Sequence, residues 1–251
     1  MSLLEALAVA MAGVCAGAIN TIVGSGTLIT FPVLLAVGFP PVAANVSNTV
    51  GLVPGSISGA IGYRRELDGQ RHRVRRLALP AVLGGLSGGV LLLVLPAEAF
   101  RMIVPAFIAI ALVLVVVQPR LGGLVARREH GHGPAGRRSA WGAVLGTGMY
   151  GGYFGAAQGI LLIAILGLAV DDDLQRVNAL KNVLAGLVNA VAAVLFVLIA
   201  PVEWGPVLLI ACGSIAGAQL GARVGRRLPP SVLRAVIVLV GIAAIGQLVA
   251  G

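Results

Sequence analysis

Asn178, Lys181, Asn182 and Asn189 recur at helical spacing along one face of an apolar run, and they include the chain's only lysine. Its neighbours are Val177, Ala179, Leu180, Val183, Leu184 and Ala185. A lysine in the middle of a membrane helix costs roughly 2.5–3.5 kcal/mol, so it is kept where it meets an anion, a partner or water. No acidic partner stands inside an apolar run: Glu5, Glu66, Asp68, Glu98, Glu129, Asp171, Asp172, Asp173 and Glu203 are all terminal or between runs. One cation ringed by amides and hydroxyls is a binding chemistry for a small anion. The alternative is that Lys181, eight residues beyond Asp173, snorkels to the cytoplasmic interface.

The other polar residues in apolar context gather near two glycine-rich breaks, Gly24-Ser25-Gly26 and Gly155-Ala156-Ala157-Gln158-Gly159. Asn20, Thr21, Ser25, Thr27, Asn45, Ser47, Asn48 and Thr49 surround the first, and Tyr150, Tyr153, Gln158, Asn178, Lys181 and Asn182 the second. Taken singly, such a Ser, Thr or Asn often does no more than bridge two membrane helices. Catalysis and metal chemistry are poorly supported. His72, His130 and His132 all lie in basic stretches, and Ser25 has no membrane-embedded base in a matching role. Cys15 and Cys212 lie in separate apolar runs and read as small packing residues, neither a disulfide nor a metal site. No cofactor is implied.

These residues must be positioned by membrane helices. Of the 251 residues, 58% are hydrophobic and 11% charged, and mean hydropathy is +1.01, which excludes a soluble domain. Several apolar runs have the roughly 17–25 residues needed to cross hydrocarbon. The reading is all-α, a polytopic transmembrane bundle. Apolar segments are expected at 3–23, 28–37, 43–63, 77–95, 102–117, 140–156, 160–170, 177–200, 207–222 and 232–249. Those at 28–37 and 160–170 are too short to span. The net charge of +9 is no nucleic-acid signature, because the arginines cluster in loops expected at Arg64 to Arg76, Arg120 to Arg138 and Arg223 to Arg234, and aromatic residues are 4%. Such loops should face the cytoplasm. The start carries Glu5 and no basic residue, unlike a cleaved signal peptide, and is expected to stay as a helix.

Sliding the chain against itself at an offset of 133 pairs Gly26 with Gly159, Asn45 with Asn178, Leu95-Pro96 with Leu228-Pro229, and Arg101 with Arg234. The same register places Asn48 and Thr49 on Lys181 and Asn182. The expected organisation is a first repeat over 1–118, a basic cytoplasmic linker over 119–139 and a second repeat over 140–251. Loop charge makes the repeats inverted, with both termini outside. Paired broken segments in inverted halves point to a transporter site near the bilayer midplane.

Gly24-Ser25-Gly26, then Phe31-Pro32-Val33-Leu34-Leu35, Gly38, Ala44-Asn45 and Asn48-Thr49, together with Gly151-Gly152-Tyr153-Phe154-Gly155, Gly159 and Lys181-Asn182, resemble the sulfite exporter TauE/SafE family along the whole chain. The resemblance implies a multi-pass permease of the bacterial inner membrane for sulfur-containing anions such as sulfite, sulfoacetate or other sulfonates. The expected function is therefore alternating-access transport of a small oxyanion, with no enzyme activity. Lys181 is the expected anchor, with Asn45, Asn48, Thr49, Tyr153, Gln158, Asn178 and Asn182 as hydrogen-bonding partners and Gly26 and Gly159 at the breaks. A passive anion channel and a non-transporting scaffold are the alternatives. The expected partners are the small anion and the lipid bilayer, with no nucleic acid; a homo-oligomer is left open.

Overall fold

The computed structural model describes residues 1–126, 134–170 and 172–224, with the side chains of 118–138 outside the description. It is all helical among these residues: α1 (Leu3–Ile22), α2 (Thr27–Ala36), α3 (Pro41–Gly62), α4 (Arg71–Val94), α5 (Ala97–Ala126), α6 (Pro134–Tyr153), α7 (Gln158–Ala169), α8 (Leu174–Ile199) and α9 (Trp204–Val224). The segment expected at 232–249, and the arginines beyond Arg223, lie outside the described residues. α1, α4, α8, α9 and the stretch Ala97–Val117 of α5 are long and apolar enough to cross a membrane, whereas α2 and α7 are short.

Local chemistry sets the helix ends. Ser2 and Glu5 form a reciprocal capping box at the start of α1, and the Asp173 side chain accepts from the backbone of Gln175 and Arg176 at the start of α8. Pro41 opens α3, and α4 stops before Pro96. Gly38, at a φ of 96°, turns the chain after α2. Two expectations are corrected here. The basic stretches Arg64 to Arg76 and Arg120 to Arg138 are not all loop, since Arg71 to Arg76 form the first turns of α4, α5 runs on to Ala126 and α6 starts at Pro134; arginine's good helix propensity lets a helix run past its apolar part. Nor are Cys15 and Cys212 packed inside: both are exposed on the outer faces of their helices.

Two glycine-lined helix crossings bind the outer helices to the bundle. α1 lies on α9, where a side chain at Gly217 would meet the Val14 carbonyl at 1.9 Å. α4 lies on α6, where one at Gly88 would meet the Met149 carbonyl at 2.0 Å. Small residues let membrane helices approach this closely and gain van der Waals contact in place of a hydrophobic drive. Polar bonds add to the α3–α9 contact: Ser214 donates to the Gly51 carbonyl (3.2 Å), and Gln219 to the Ser58 carbonyl (2.9 Å) and hydroxyl (2.8 Å).

An offset of 133 carries α1, α2, α3 and α4 onto α6, α7, α8 and α9 within a few residues. It also carries the contact of α1 with α9 onto that of α6 with α4, while α3 and α8 pack on each other at the centre.

Candidate functional site

The polar centre forms where the two breaks meet. α1 stops at Ile22 and α2 restarts at Thr27; α6 stops at Tyr153 and α7 restarts at Gln158. The breaks touch backbone to backbone. The Gly159 N–H donates to the Gly24 carbonyl at 3.0 Å, and a Cβ on Gly24 would stand 2.3 Å from the Gly159 Cα. Gly24 has a φ of 88° and Ala157, at the corresponding place of the second break, 59°. Ala157 is the only non-glycine residue with positive φ among the described residues, a strained conformation held at the restart of α7.

Broken helices leave carbonyls bare at the ends of α1 and α6, and inside a membrane these must be bonded internally. The partners come from the opposite half. The Asn178 and Asn182 side chains, both on α8, each donate to the Thr21 carbonyl at 3.2 Å. Asn45 on α3, which pairs with Asn178 under the offset, donates to the Tyr153 carbonyl at 2.9 Å. Lys181 joins the first set, donating to the Asn20 carbonyl at 2.9 Å and to that of Thr21 at 3.3 Å. Its stem passes Gly159, where a Cβ would meet the Lys181 Cδ at 2.9 Å. Lys181 is 1% exposed, so it does not snorkel to the interface; it sits at the negative end of α1, where the helix dipole favours a cation.

The remaining expected site residues divide. Asn48 is bonded to Thr27 (3.3 Å) and closely to Thr30, tying α3 to α2. Thr49 donates back to the Asn45 carbonyl of its own helix at 2.9 Å. Gly26 packs against the Ala16 carbonyl of α1 and accepts from the Thr30 hydroxyl at 3.3 Å. Gln158 opens α7 and lies over Gly151. Tyr153 has its ring among Phe100 and Phe107, part of an aromatic cluster with Phe31, Tyr150 and Phe154 that packs α2, α5 and α6 together.

Three buried donors carried by the breaks and the helix ends beside them have no protein partner: the Ser25 hydroxyl, the Tyr153 hydroxyl and the Gln158 Nε2. The Asn45 and Asn178 amide oxygens are also unpaired. Buried polar atoms without partners cost about 1–3 kcal/mol each, so each of them calls for a compensating contact. Both α2 and α7 begin at this point, and helix N-termini favour anions. Sequence reasoning placed most of these side chains but not the Asn20 and Thr21 main-chain carbonyls as acceptors. The available signal was their position just before Gly24.

A second polar network lies at one end of α8. Asp172 pairs with Arg176 at 2.8 Å and closely with Arg73. Arg176 donates to the Asp68 carbonyl at 2.9 Å, and Gln70 to the Arg176 carbonyl at 2.9 Å. This latch joins the α3–α4 connection to the start of α8. Burial acts to raise the Asp172 carboxyl, but its hydrogen bonds to Arg73 and Arg176 outweigh that and hold it below the ordinary carboxylate range. The depressed value means that its stabilisation is fully present above an unfolded pKa of about 4 and is lost as pH falls through the folded value. Asp172→Asn is expected to lower stability by about 1 kcal/mol or less, since solvent screens the pair, and to raise cysteine labelling of a reporter at Asp68 several-fold. Unchanged labelling would show that the latch holds nothing shut. Among the described residues no group of His, Cys, Asp and Glu could hold a metal ion.

Membrane-length helices around a polar centre made from two broken helices define a polytopic transporter architecture. The sequence profile of the family described as Sulfite exporter TauE/SafE matches residues 9–248, and the chain belongs to this family. It is a membrane transporter, a multi-pass protein of the inner membrane. It is similar to the "Probable membrane transporter protein YfcA" of Escherichia coli strain K12, at 29% identity over 90% of this chain and 82% of that protein. The "Probable membrane transporter protein" of Haemophilus influenzae is 24% identical over 90% of this chain and 88% of its own length. The "Probable membrane transporter protein ORF9" of a Sinorhizobium species is 27% identical over 93% and 88%. No solved structure matches this chain.

Proposed function

We propose that the protein carries a small oxyanion of the sulfite or sulfonate class by alternating access, with the anion seated at the crossing of the two breaks. The observation that carries this reading is the set of unpartnered buried donors on the two breaks and the helix ends beside them, Ser25, Tyr153 and Gln158. Lys181 supplies the positive charge. Two of its three ammonium hydrogens go to α1 carbonyls, and the third is the one left for the anion. The family description supports the sulfur oxyanion; the amides and hydroxyls fit its several acceptor oxygens.

The two halves, in inverted orientation, are the moving parts. In one extreme the Asp172 latch closes the cytoplasmic side; in the other the aromatic cluster around Phe100 and Phe154 closes the opposite side. Ser25 binds and is not a nucleophile, in keeping with a hydroxyl that no base contacts.

The test is thermal stability of the purified protein against sulfite, sulfate, thiosulfate, sulfoacetate, taurine, carboxylates and chloride. A sulfur oxyanion at 100 times its dissociation constant is expected to stabilise by about 2.7 kcal/mol, and chloride not at all. Tyr153→Phe should weaken that binding by roughly ten- to a hundredfold, the worth of one hydrogen bond to a charged group. No shift with any anion would sink the reading, and single-channel currents in a planar bilayer would replace the carrier with a channel.

A further inference from the structure

We propose that Lys181 is the proton carrier of the cycle: it takes up a proton as the anion binds and gives it up as the anion leaves, so that anion and proton cross together. This rests on the anion-transport reading above.

The ammonium occupies a position of the type that a coupling cation takes in broken-helix transporters, against main-chain carbonyls at a half-helix C-terminus. Here the cation belongs to the protein, so the site needs no metal ion. Whether it stays charged depends on what faces it. From α1 there are only the Asn20 and Thr21 carbonyls. Gly159 of α7 packs on the lysine's stem, and the polar residues that α7 and α3 carry beside the breaks, Gln158, Asn45 and Asn48, do not ionise in water; α4, also packed on α8, carries its ionisable residues only in its first turns, Arg71 to Arg76, of which Arg73 pairs with Asp172. The phenols of Tyr150 and Tyr153 on α6 are neutral groups. On α8 itself the nearest charge is Arg176, five residues back or about 7.5 Å along the axis, and Asp172 beyond it is already committed to Arg73 and Arg176. No fixed carboxylate therefore stabilises the ammonium among the described residues. A lysine so placed changes protonation readily, and the group that decides its state is the anion.

The surrounding bonds allow for that change. The Thr21 carbonyl receives donors from Asn178 and Asn182 as well as from Lys181, so it stays bonded when the lysine is a neutral amine. Proton and anion binding are then linked reciprocally: a bound anion raises the proton affinity of Nζ, and a proton on Nζ raises affinity for the anion. The step balances as amine plus proton plus anion giving an ammonium–anion pair, with the proton taken from water on one side and returned to water on the other. No covalent bond to the anion forms. For a monovalent anion the pair is neutral, so its transfer carries no net charge.

Proteoliposomes holding the purified full chain and an entrapped pH dye test this, with membrane voltage clamped by potassium and valinomycin. Methanesulfonate and sulfoacetate, strong-acid anions with little buffering near neutrality from the sulfonate, are applied outside and their entry is measured directly by ion chromatography. The expected result is luminal acidification that tracks anion entry, about one proton per anion for methanesulfonate and sulfoacetate alike. Lys181→Arg, which keeps the charge but cannot release its proton, should bind the anion and cut acidification at least tenfold. Wild-type anion entry without acidification would overturn the proton-carrier role and leave the anion site standing. Acidification at the wild-type ratio in Lys181→Gln would also overturn it. Neither binding nor entry of any sulfonate or of sulfite by the wild type would remove the anion reading itself, and this inference with it.

Discussion

Gly24→Ala is expected to abolish transport and to destabilise the protein by about 2–5 kcal/mol, from a strained left-handed backbone and a clash that rigid backbone cannot relieve. The new methyl would sit 2.3 Å from the Gly159 Cα and would push the two breaks apart, breaking the Gly159 N–H bond to the Gly24 carbonyl. Gly38→Ala is the matched control. Gly38 also has positive φ, at 96°, but nothing lies within 4 Å of the added carbon, so only the conformational cost of about 1–2 kcal/mol applies and transport should persist. Thermal unfolding in detergent and uptake into proteoliposomes separate the two. If Gly24→Ala and Gly38→Ala behave alike, contact between the breaks is not what organises the centre.

Lys181→Met should remove transport, by at least about a hundredfold, while leaving stability within about 1 kcal/mol of wild type or raising it. The reason is that an amine head with 1% exposure and no carboxylate partner is costly to bury, whether neutral or protonated, and methionine has a similar length and no such polar head to desolvate. The loss is limited because Asn178 and Asn182 still cover the Thr21 carbonyl, although that of Asn20 is left without its donor. A purely structural lysine would give the opposite pattern, with stability and transport falling together. Parallel melting curves and uptake rates decide it.

Among the described residues the helices, the short segments and the two breaks were legible in the sequence because each rests on a local signal: hydrophobic run length, and glycine where the backbone must leave the helix. The offset of 133 then carried the corresponding elements to within a few residues. Basic stretches read less well, since charge marks the interface but does not end a helix; Arg71 to Arg76 are helical. The site residues were legible as a set, but not their pairings. Asn48 and Thr49 share a spacing pattern with Lys181 and Asn182, yet they bond to Thr30, Thr27 and their own helix. Which side chain reaches which carbonyl depends on how α3 and α8 cross, and that is a property of packing. Ala157 gave no sign either, because nothing in an alanine's identity announces a positive φ.

The exchange of caps between halves also dictates how the chain can be made. Thr21 enters the membrane 157 residues ahead of the Asn178 that will bond it, and at about 5–20 residues per second that is a wait of about 8–30 seconds during translation. Asn45 waits in the same way for Tyr153, 108 residues later. Through that interval the nascent first half carries bare carbonyls in hydrocarbon that only water or the insertion machinery can cover. Synthesis arrested before Asn178 leaves a half-protein that cannot close itself, and such a chain is a natural client for membrane quality control.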